Sequence, residues 1–152
     1  MVPDMKPNFY PLLFEPVYMD YVWGGRRIPE TYGRTVRQSV CAESWEITDR
    51  PEGMSRVING PLRGRTLHEL VVSMGSDLIG TSAKAKKFPL LIKIIDARER
   101  LSVQVHPDNE NAILTRGEPK TEMWYVLDAD PGARVFAGLR ATCESVAATG
   151  HG

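Results

Sequence analysis

The chain has 152 residues, of which 42% are hydrophobic and 25% are charged, a composition typical of a globular domain. Basic and acidic residues number 19 each, so the formal net charge is zero and the pI is about 6.8. A neutral chain has no bulk electrostatic attraction for nucleic acid or for an anionic membrane, and we expect neither as a partner. The length predicts one domain spanning residues 1–152.

The N-terminal stretch MVPDMKPNFYPLLFEP is interrupted by prolines and charges before a long apolar run can form. It is typical of neither a secretory signal nor a membrane anchor, so we expect a cytoplasmic protein. The two cysteines, Cys41 and Cys143, lack CxxC spacing and lie far apart. We therefore expect reduced thiols rather than a disulfide or a zinc motif.

Short β-like runs separated by Gly, Pro and Asn follow one another along the chain and predict a mainly β fold. The candidate strands cover residues 42–48, 55–60, 88–96, 101–107, 122–129 and 133–139. The last two flank a turn at residues 130–132 and are expected to form a hairpin.

Two helices are predicted between these strands. Thr66 and Glu69 form the T-x-x-E capping box that starts a helix, and Gly75 is a natural stop. The helical face between them carries Leu67, Leu70, Val71 and Met74. A second, shorter helix is expected over residues 107–117, directly after a histidine.

The run LSVQVHP, residues 101–107, carries polar residues on one face of a predicted strand. Because side chains alternate along a strand, Ser102, Gln104 and His106 share that face. The opposite face, with Val103 and Val105, is expected to be buried. Along KTEMWYVL the same alternation places Lys120 and Glu122 together.

An imidazole nitrogen with amide and carboxylate oxygens suits a divalent metal, zinc first, with manganese, iron or cobalt as substitutes. Spacing alone does not decide for a metal, since a lone histidine on a strand is more often a hydrogen-bonded structural residue.

Charged residues also interrupt two other predicted strands. Lys93 lies within LLIKII, where a buried ammonium is costly unless it is paired or binds an anion. The alternative is an edge strand from which the lysine reaches solvent. Glu43 and Glu46 flank Trp45 and are expected on opposite faces, so at most one of them can line a cavity.

Four segments resemble, in order and spacing, the N-terminal metal-binding part of type I mannose-6-phosphate isomerases. They are YVWGGRRI, AESWEITDRPEGMSRVINGPLRGRTLHEL, FPLLIKIIDARERLSVQVHPDNENA and PKTEMWYVLDADPGARVFAGL, and they span about residues 21–139. The resemblance implies a cupin fold, a jelly-roll β-barrel with short helical insertions. It also implies a domain shortened at its C-terminus, which stops before the family's fourth metal ligand.

The resemblance further assigns the metal ligands. It implies one zinc ion per chain, bound by Gln104, His106 and Glu122. The implied activity is the interconversion of mannose 6-phosphate and fructose 6-phosphate by proton transfer between C1 and C2. The implied partner is therefore a hexose 6-phosphate, and a homodimer is expected to cover open barrel edges.

Three side chains are candidates for the catalytic steps. Lys120, two residues before a predicted ligand, is the first choice as proton carrier, while Lys93 and Ser102 are expected to contact sugar hydroxyls. Ion pairing and strand hydrogen bonding are their structural alternatives. A cupin that binds metal or sugar phosphate without catalysis, and an inactive remnant of the isomerase, are the alternatives for the whole chain.

Overall fold

The computed structural model describes residues 10–81, 86–115 and 118–138. The chain divides into two compact units, the first ending at Val103 and the second beginning at Gln104. No helix in the described ranges is long and apolar enough to cross a membrane.

The first unit consists of short strands and helices. Its described strands are β1 (Phe14–Glu15), β2 (Val17–Met19), β3 (Glu43–Ile47), β4 (Asp49–Arg50), β5 (Gly53–Met54), β6 (Arg56–Val57) and β7 (Ile92–Ile95). Its described helices are α1 (Arg27–Tyr32), α2 (Leu67–Met74) and α3 (Ser76–Ile79). The predicted strands at 42–48, 55–60 and 88–96 are thus present as β3, β6 and β7, each shorter than expected.

The strands of the first unit pair in three antiparallel sheets. The largest has the order β2-β3-β7, and the others are the pairs β1-β6 and β4-β5. Strands outnumber helices, as the sequence predicts. The sheets formed by the described residues do not close into a barrel, so the jelly-roll arrangement stays a prediction.

Helix α2 begins and ends where the sequence predicts. The Thr66 hydroxyl accepts a hydrogen bond of 3.1 Å from the Glu69 amide, and the Glu69 carboxylate accepts one of 2.7 Å from the Thr66 amide. These bonds hold the pKa of Glu69 below its usual range. Gly75 follows the helix with φ of 52°, and the face expected to be apolar buries Leu67, Leu70 and Val71.

The two glycines after Trp23 lie against backbone and side-chain atoms of neighbouring segments. A Cβ on Gly24 would stand 2.4 Å from Ala42 Cα, and one on Gly25 would stand 2.5 Å from Asp96 Oδ2. Asp96 Oδ2 also accepts a hydrogen bond of 2.7 Å from the Arg27 amide at the start of α1. Close approach of the chain therefore explains the WGG run, since a side chain at either glycine would separate these segments.

Cys41 is fully buried and has no disulfide partner among the described residues, and its predicted reduced state stays a prediction. Burial raises the pKa of its thiol, so this cysteine is unreactive at neutral pH. Cys143 lies outside the described residues.

The second unit contains α4 (Asn111–Thr115), which confirms the predicted short helix, although its predicted stop at Gly117 lies outside the described residues. Asp108 caps the helix, because its Oδ1 accepts hydrogen bonds from the amides of Asn111 at 2.7 Å and Glu110 at 2.9 Å. These bonds hold the pKa of Asp108 below its usual range.

The strand predictions for 101–107 and 122–129 are wrong, as is the described part of 133–139, because none of these segments is a strand. The turn between the last two is present, with a hydrogen bond of 3.0 Å from the Ala133 amide to the Asp130 carbonyl. Val103 and Val105, expected to be buried, are 93% and 91% exposed. The physical reason is that a strand needs a backbone partner, which local sequence does not supply.

Candidate functional site

Three of the predicted site residues meet in the second unit. His106 Nε2 lies 3.3 Å from Glu122 Oε2, and Lys120 Nζ lies 2.6 Å from Glu122 Oε1. A hydrogen bond of 3.4 Å from the Lys120 amide to the Pro107 carbonyl joins the two segments that carry them. The side chains of His106, Lys120 and Glu122 are 26%, 35% and 26% exposed, so the cluster is partly shielded and open to solutes.

Glu122 is the centre of this cluster. The hydrogen bond from Lys120 is the largest influence on its carboxyl group and holds its pKa below the usual range. The charges of Lys120 and His106 act in the same direction, while partial burial opposes them. Glu122 is therefore a carboxylate at neutral pH, the form that binds a metal ion.

A depressed pKa makes a testable prediction. The interactions of the Glu122 carboxylate stabilise the folded state at neutral pH. This contribution begins to fall near the pKa of an unfolded glutamate, about 4.3, and is lost as the pH drops through the lower pKa of the folded state. We expect a carboxyl titration by ¹³C NMR, assigned with Glu122→Gln, to give Glu122 a pKa below that of an ordinary glutamate. Lys120→Met should raise that pKa. An unchanged midpoint in this variant would show that the ion pair does not form in solution.

His106 Nε2 and Glu122 Oε2 are atom types that bind zinc, and the distance between them suits two ligands of one zinc ion. Imidazole nitrogen and carboxylate oxygen each bind zinc at about 2.0–2.1 Å, and two such ligands of one tetrahedral ion stand roughly 3.3 Å apart. The observed separation of Nε2 and Oε2 is 3.3 Å. The two side chains can therefore bind one metal ion with small movements.

The third predicted ligand, Gln104, is exposed and makes no hydrogen bond to another described residue. The described ranges contain no group of three His, Cys, Asp or Glu side chains that could hold a metal ion. A His–Glu–Gln ligand set includes a residue type other than these four and is compatible with their distribution. The role of Gln104 stays a prediction.

A cavity of about 220 Å³ lies beside the cluster. Its walls come from the turn after the histidine and from the residues before Glu122: His106, Pro107, Asp108, Asn109, Pro119, Lys120 and Thr121. The lining combines an imidazole, an ammonium, a carboxylate, an amide and a hydroxyl with two proline rings. Such a surface can hydrogen-bond a small polar molecule close to His106 and Lys120.

Lys93 and Ser102 belong to the first unit. Lys93 Nζ lies 2.8 Å from Glu43 Oε1, and the other carboxylate oxygen of Glu43 accepts a hydrogen bond of 2.7 Å from Trp45 Nε1. Among the described residues β7 is an edge strand of the sheet β2-β3-β7, a position from which a lysine can extend into solvent. Lys93 nevertheless forms an ion pair. Ser102 is exposed and has no hydrogen bond within the described residues. Catalytic roles for both stay predictions.

The expectation that Glu43 and Glu46 lie on opposite faces of β3 is confirmed by their partners. Glu43 pairs with Lys93, whereas Glu46 Oε1 lies 2.6 Å from Arg34 Nη1 and accepts a hydrogen bond of 2.6 Å from the Ser44 hydroxyl. At most one of the two glutamates can therefore line a given cavity.

A further histidine–carboxylate pair was not predicted from the sequence. Asp49, whose side chain is 2% exposed, accepts a hydrogen bond of 2.7 Å from the Phe88 amide, and its Oδ1 lies 3.1 Å from His68 Nδ1. The three residues are far apart along the chain and form no spacing motif. The one available signal was a histidine inside the capping box, between Thr66 and Glu69 and next to the buried Leu67.

Comparison with known proteins places this chain in a family. The model of the catalytic domain of type I phosphomannose isomerase matches residues 12–134. A mannose-6-phosphate isomerase of Streptococcus mutans is 42% identical over 132 residues, covering 86% of this chain and 41% of the relative. The mannose-6-phosphate isomerase ManA of Bacillus subtilis is 40% identical over 134 residues, covering 87% of this chain and 42% of the relative.

A solved structure is also similar. The crystal structure of mannose 6-phosphate isomerase from Bacillus subtilis matches with a TM-score of 0.65 and 34% identity, over 73% of this chain and 35% of that chain. This chain thus spans about two fifths of the length of the curated relatives that it matches. The matched region contains the His106, Lys120 and Glu122 cluster.

Proposed function

The chain belongs to the type I phosphomannose isomerase family, and on that basis we propose that it carries the zinc ligands and the proton carrier of an aldose–ketose isomerase. The proposed substrates are mannose 6-phosphate and fructose 6-phosphate, as the names of its relatives suggest. The observation that carries the proposal is the contact of His106 and Lys120 with Glu122 inside the matched region.

In this proposal His106, Glu122 and Gln104 hold one zinc ion per chain. The first two supply a donor pair whose separation suits zinc, and the exposed amide of Gln104 is available as the third ligand. Bound zinc would polarise substrate oxygens and stabilise the negative charge that develops on them.

Lys120 carries the proton in the proposed reaction. In its unprotonated form Nζ would accept the proton from C2 of the aldose and return it to C1, while a second proton passes from the C2 hydroxyl to the C1 oxygen, which gives the ketose and leaves the lysine unchanged. Glu122, 2.6 Å from Nζ, orients the amine toward the cavity beside it. The walls of that cavity bind the sugar and limit the approach of water to the carbons that exchange the proton.

Lys93 and Ser102 are proposed to contact sugar hydroxyls, and the ion pair with Glu43 fixes the position of the Lys93 ammonium. A single cupin-like domain over residues 1–152 and a cytoplasmic location remain predictions of the same proposal.

The proposal is tested by a coupled assay for fructose 6-phosphate on metal-stripped and zinc-restored chain, with mannose 6-phosphate as substrate. We expect turnover that requires zinc and that falls at least about 100-fold in Lys120→Met, because the loss of a general base costs that much. Lys86→Met, which changes an exposed lysine of the first unit, should leave turnover unchanged.

Two outcomes would contradict the proposal. Full turnover in Lys120→Met would remove Lys120 as the proton carrier. Saturable binding of zinc and sugar phosphate by a folded chain, without product, would instead favour the binding cupin.

A further inference from the structure

The turn after β6 contains Asn59 followed by Gly60, the single Asn–Gly pair of the sequence. The side-chain amide of Asn59 binds the backbone of a segment that lies much earlier in the chain. Its Oδ1 accepts a hydrogen bond of 2.9 Å from the Leu13 amide, and its Nδ2 donates one of 2.9 Å to the Pro11 carbonyl. We call residues 10–13 the docked segment, since this amide holds them beside the turn.

Gly60 lies against the same segment and has no room for a side chain. Its φ of 58° falls in the left-handed region that favours glycine. A Cβ at this position would stand 2.5 Å from Cε2 of the Tyr10 ring. The Tyr10 hydroxyl donates a hydrogen bond of 3.1 Å to the Asn59 carbonyl and accepts one of 3.0 Å from the Leu62 amide. The docked segment therefore contacts both residues of the Asn–Gly pair.

Asn–Gly pairs undergo deamidation more readily than other asparagine pairs, because glycine has no side chain to hinder attack by its backbone nitrogen. The glycine nitrogen forms a bond to the asparagine Cγ, the Cγ–Nδ2 bond breaks, and the proton of the glycine amide leaves with Nδ2 as ammonia. Water then opens the resulting succinimide ring at either carbonyl, which gives aspartate or isoaspartate. The reaction consumes water and needs no oxidant or reductant.

We propose that Asn59 is a deamidation site and that the docked segment controls the rate of its reaction. Attack on Cγ makes the planar amide tetrahedral and expels Nδ2, so it disrupts both hydrogen bonds to the docked segment. The segment must therefore undock before Asn59 reacts. Local opening and closing are much faster than deamidation, so the rate follows the fraction of time that the segment is undocked. The proposal depends on neither zinc nor the proposed isomerase activity.

The product of the reaction holds the docked segment less well than asparagine does. A carboxylate at position 59 can still accept the hydrogen bond of the Leu13 amide, but it has no proton to donate to the Pro11 carbonyl. Two oxygens then face each other where a hydrogen bond was, and both lose a partner. Isoaspartate also lengthens the backbone by one carbon and displaces Gly60 from the Tyr10 ring. Deamidation thus converts a reversible opening into a lasting one.

The first test compares deamidation of the folded chain with that of the chain unfolded in urea, at one pH and temperature. Mass spectrometry of the tryptic peptide VINGPLR, residues 57–63, follows the reaction, since Asn59 is its single asparagine. We expect the folded chain to react at least about 10-fold more slowly, because reaction requires undocking. Asn109 and Asn111, which precede Glu and Ala, should react much more slowly than Asn59 in urea.

Two tyrosine variants test the role of the docked segment. Tyr10→Phe keeps the ring and removes the hydroxyl that bonds the Asn59 carbonyl and the Leu62 amide. Loss of two hydrogen bonds should speed deamidation of the folded chain at least about 5-fold and leave the rate in urea unchanged. Tyr32→Phe makes the same change at an exposed tyrosine outside the segment and should alter neither rate. Circular dichroism confirms that each variant is folded.

A third variant tests the effect of the product. Asn59→Asp reproduces the aspartate form, and we expect hydrogen exchange of the Leu13 amide to speed at least about 5-fold in the folded chain, because the segment then undocks more often.

Three results would overturn the proposal. The first is an equal rate of deamidation in the folded and the unfolded chain. The second is an equal rate in folded Tyr10→Phe and folded Tyr32→Phe. The third is unchanged exchange of the Leu13 amide in Asn59→Asp, since the side-chain amide would then not be what holds the segment.

Discussion

His106→Ala is expected to weaken zinc binding by at least about 100-fold, more than is usual for loss of a residue that only hydrogen-bonds to a metal ligand. The reason is geometric, because Nε2 of this side chain lies 3.3 Å from Glu122 Oε2 and the pair supplies two ligands of one ion. Glu122→Ala should have an effect of similar size, and Gln104→Ala should weaken binding as well if the amide is the third ligand. Competition with a chromophoric chelator measures these affinities without reference to turnover.

Val105→Ala is the matched control for the zinc prediction. Val105 is adjacent to His106 and is 91% exposed, so its truncation should change neither zinc affinity nor stability appreciably. Zinc should also raise the melting temperature of the unmodified chain and not that of His106→Ala, since a ligand that binds only the folded state stabilises it. Equal zinc affinity in the His106→Ala and unmodified chains would exclude His106 as a ligand.

Lys93→Met is expected to lower the free energy of unfolding by about 3 kcal/mol, the cost of leaving a buried carboxylate without its cation. The side chain of Glu43 is only 6% exposed, and Lys93 and Trp45 supply the hydrogen bonds that satisfy its two oxygens. After the substitution, one carboxylate oxygen loses its charged partner while the Trp45 bond remains. Urea denaturation of the two chains measures the difference.

A double variant tests whether the charge, rather than the lost lysine stem, causes the destabilisation. Glu43→Gln combined with Lys93→Met removes both charges and should recover much of the loss. Arg34→Met breaks the more exposed pair on the other face of β3, where the side chains are 23% and 24% exposed, and should cost about 1 kcal/mol. Equal losses in Lys93→Met and Arg34→Met would show that burial of Glu43 does not set the cost.

Short sequence motifs correctly predicted the elements whose hydrogen bonds join residues close together along the chain. The capping box of Thr66 and Glu69 is formed within one turn, and Gly75 ends the same helix, so α2 could be read from the sequence. The predicted proximity of Lys120 and Glu122 is confirmed by their contact, although the strand from which it was derived is absent. Family motifs then indicated that His106 belongs with them.

Strand predictions succeeded only where another segment supplies the pairing. β3 pairs with β2 and β7, and the predicted strands there are confirmed. Residues 122–129 have an equally strong apolar pattern and form no strand, because their backbone groups find no ladder among the described residues. An apolar pattern indicates side chains that are stabilised by burial. A strand forms only when another segment accepts and donates the hydrogen bonds of its backbone.

The sequence by itself determined the family, the start and end of α2 and the residue types of the candidate metal site. Only the tertiary structure decided that Lys93 pairs with Glu43, that Asp49 contacts His68 and that Gly24 and Gly25 lie against neighbouring segments. Such contacts join residues distant along the chain, and their energies depend on burial and on interatomic distance, which composition and spacing do not specify.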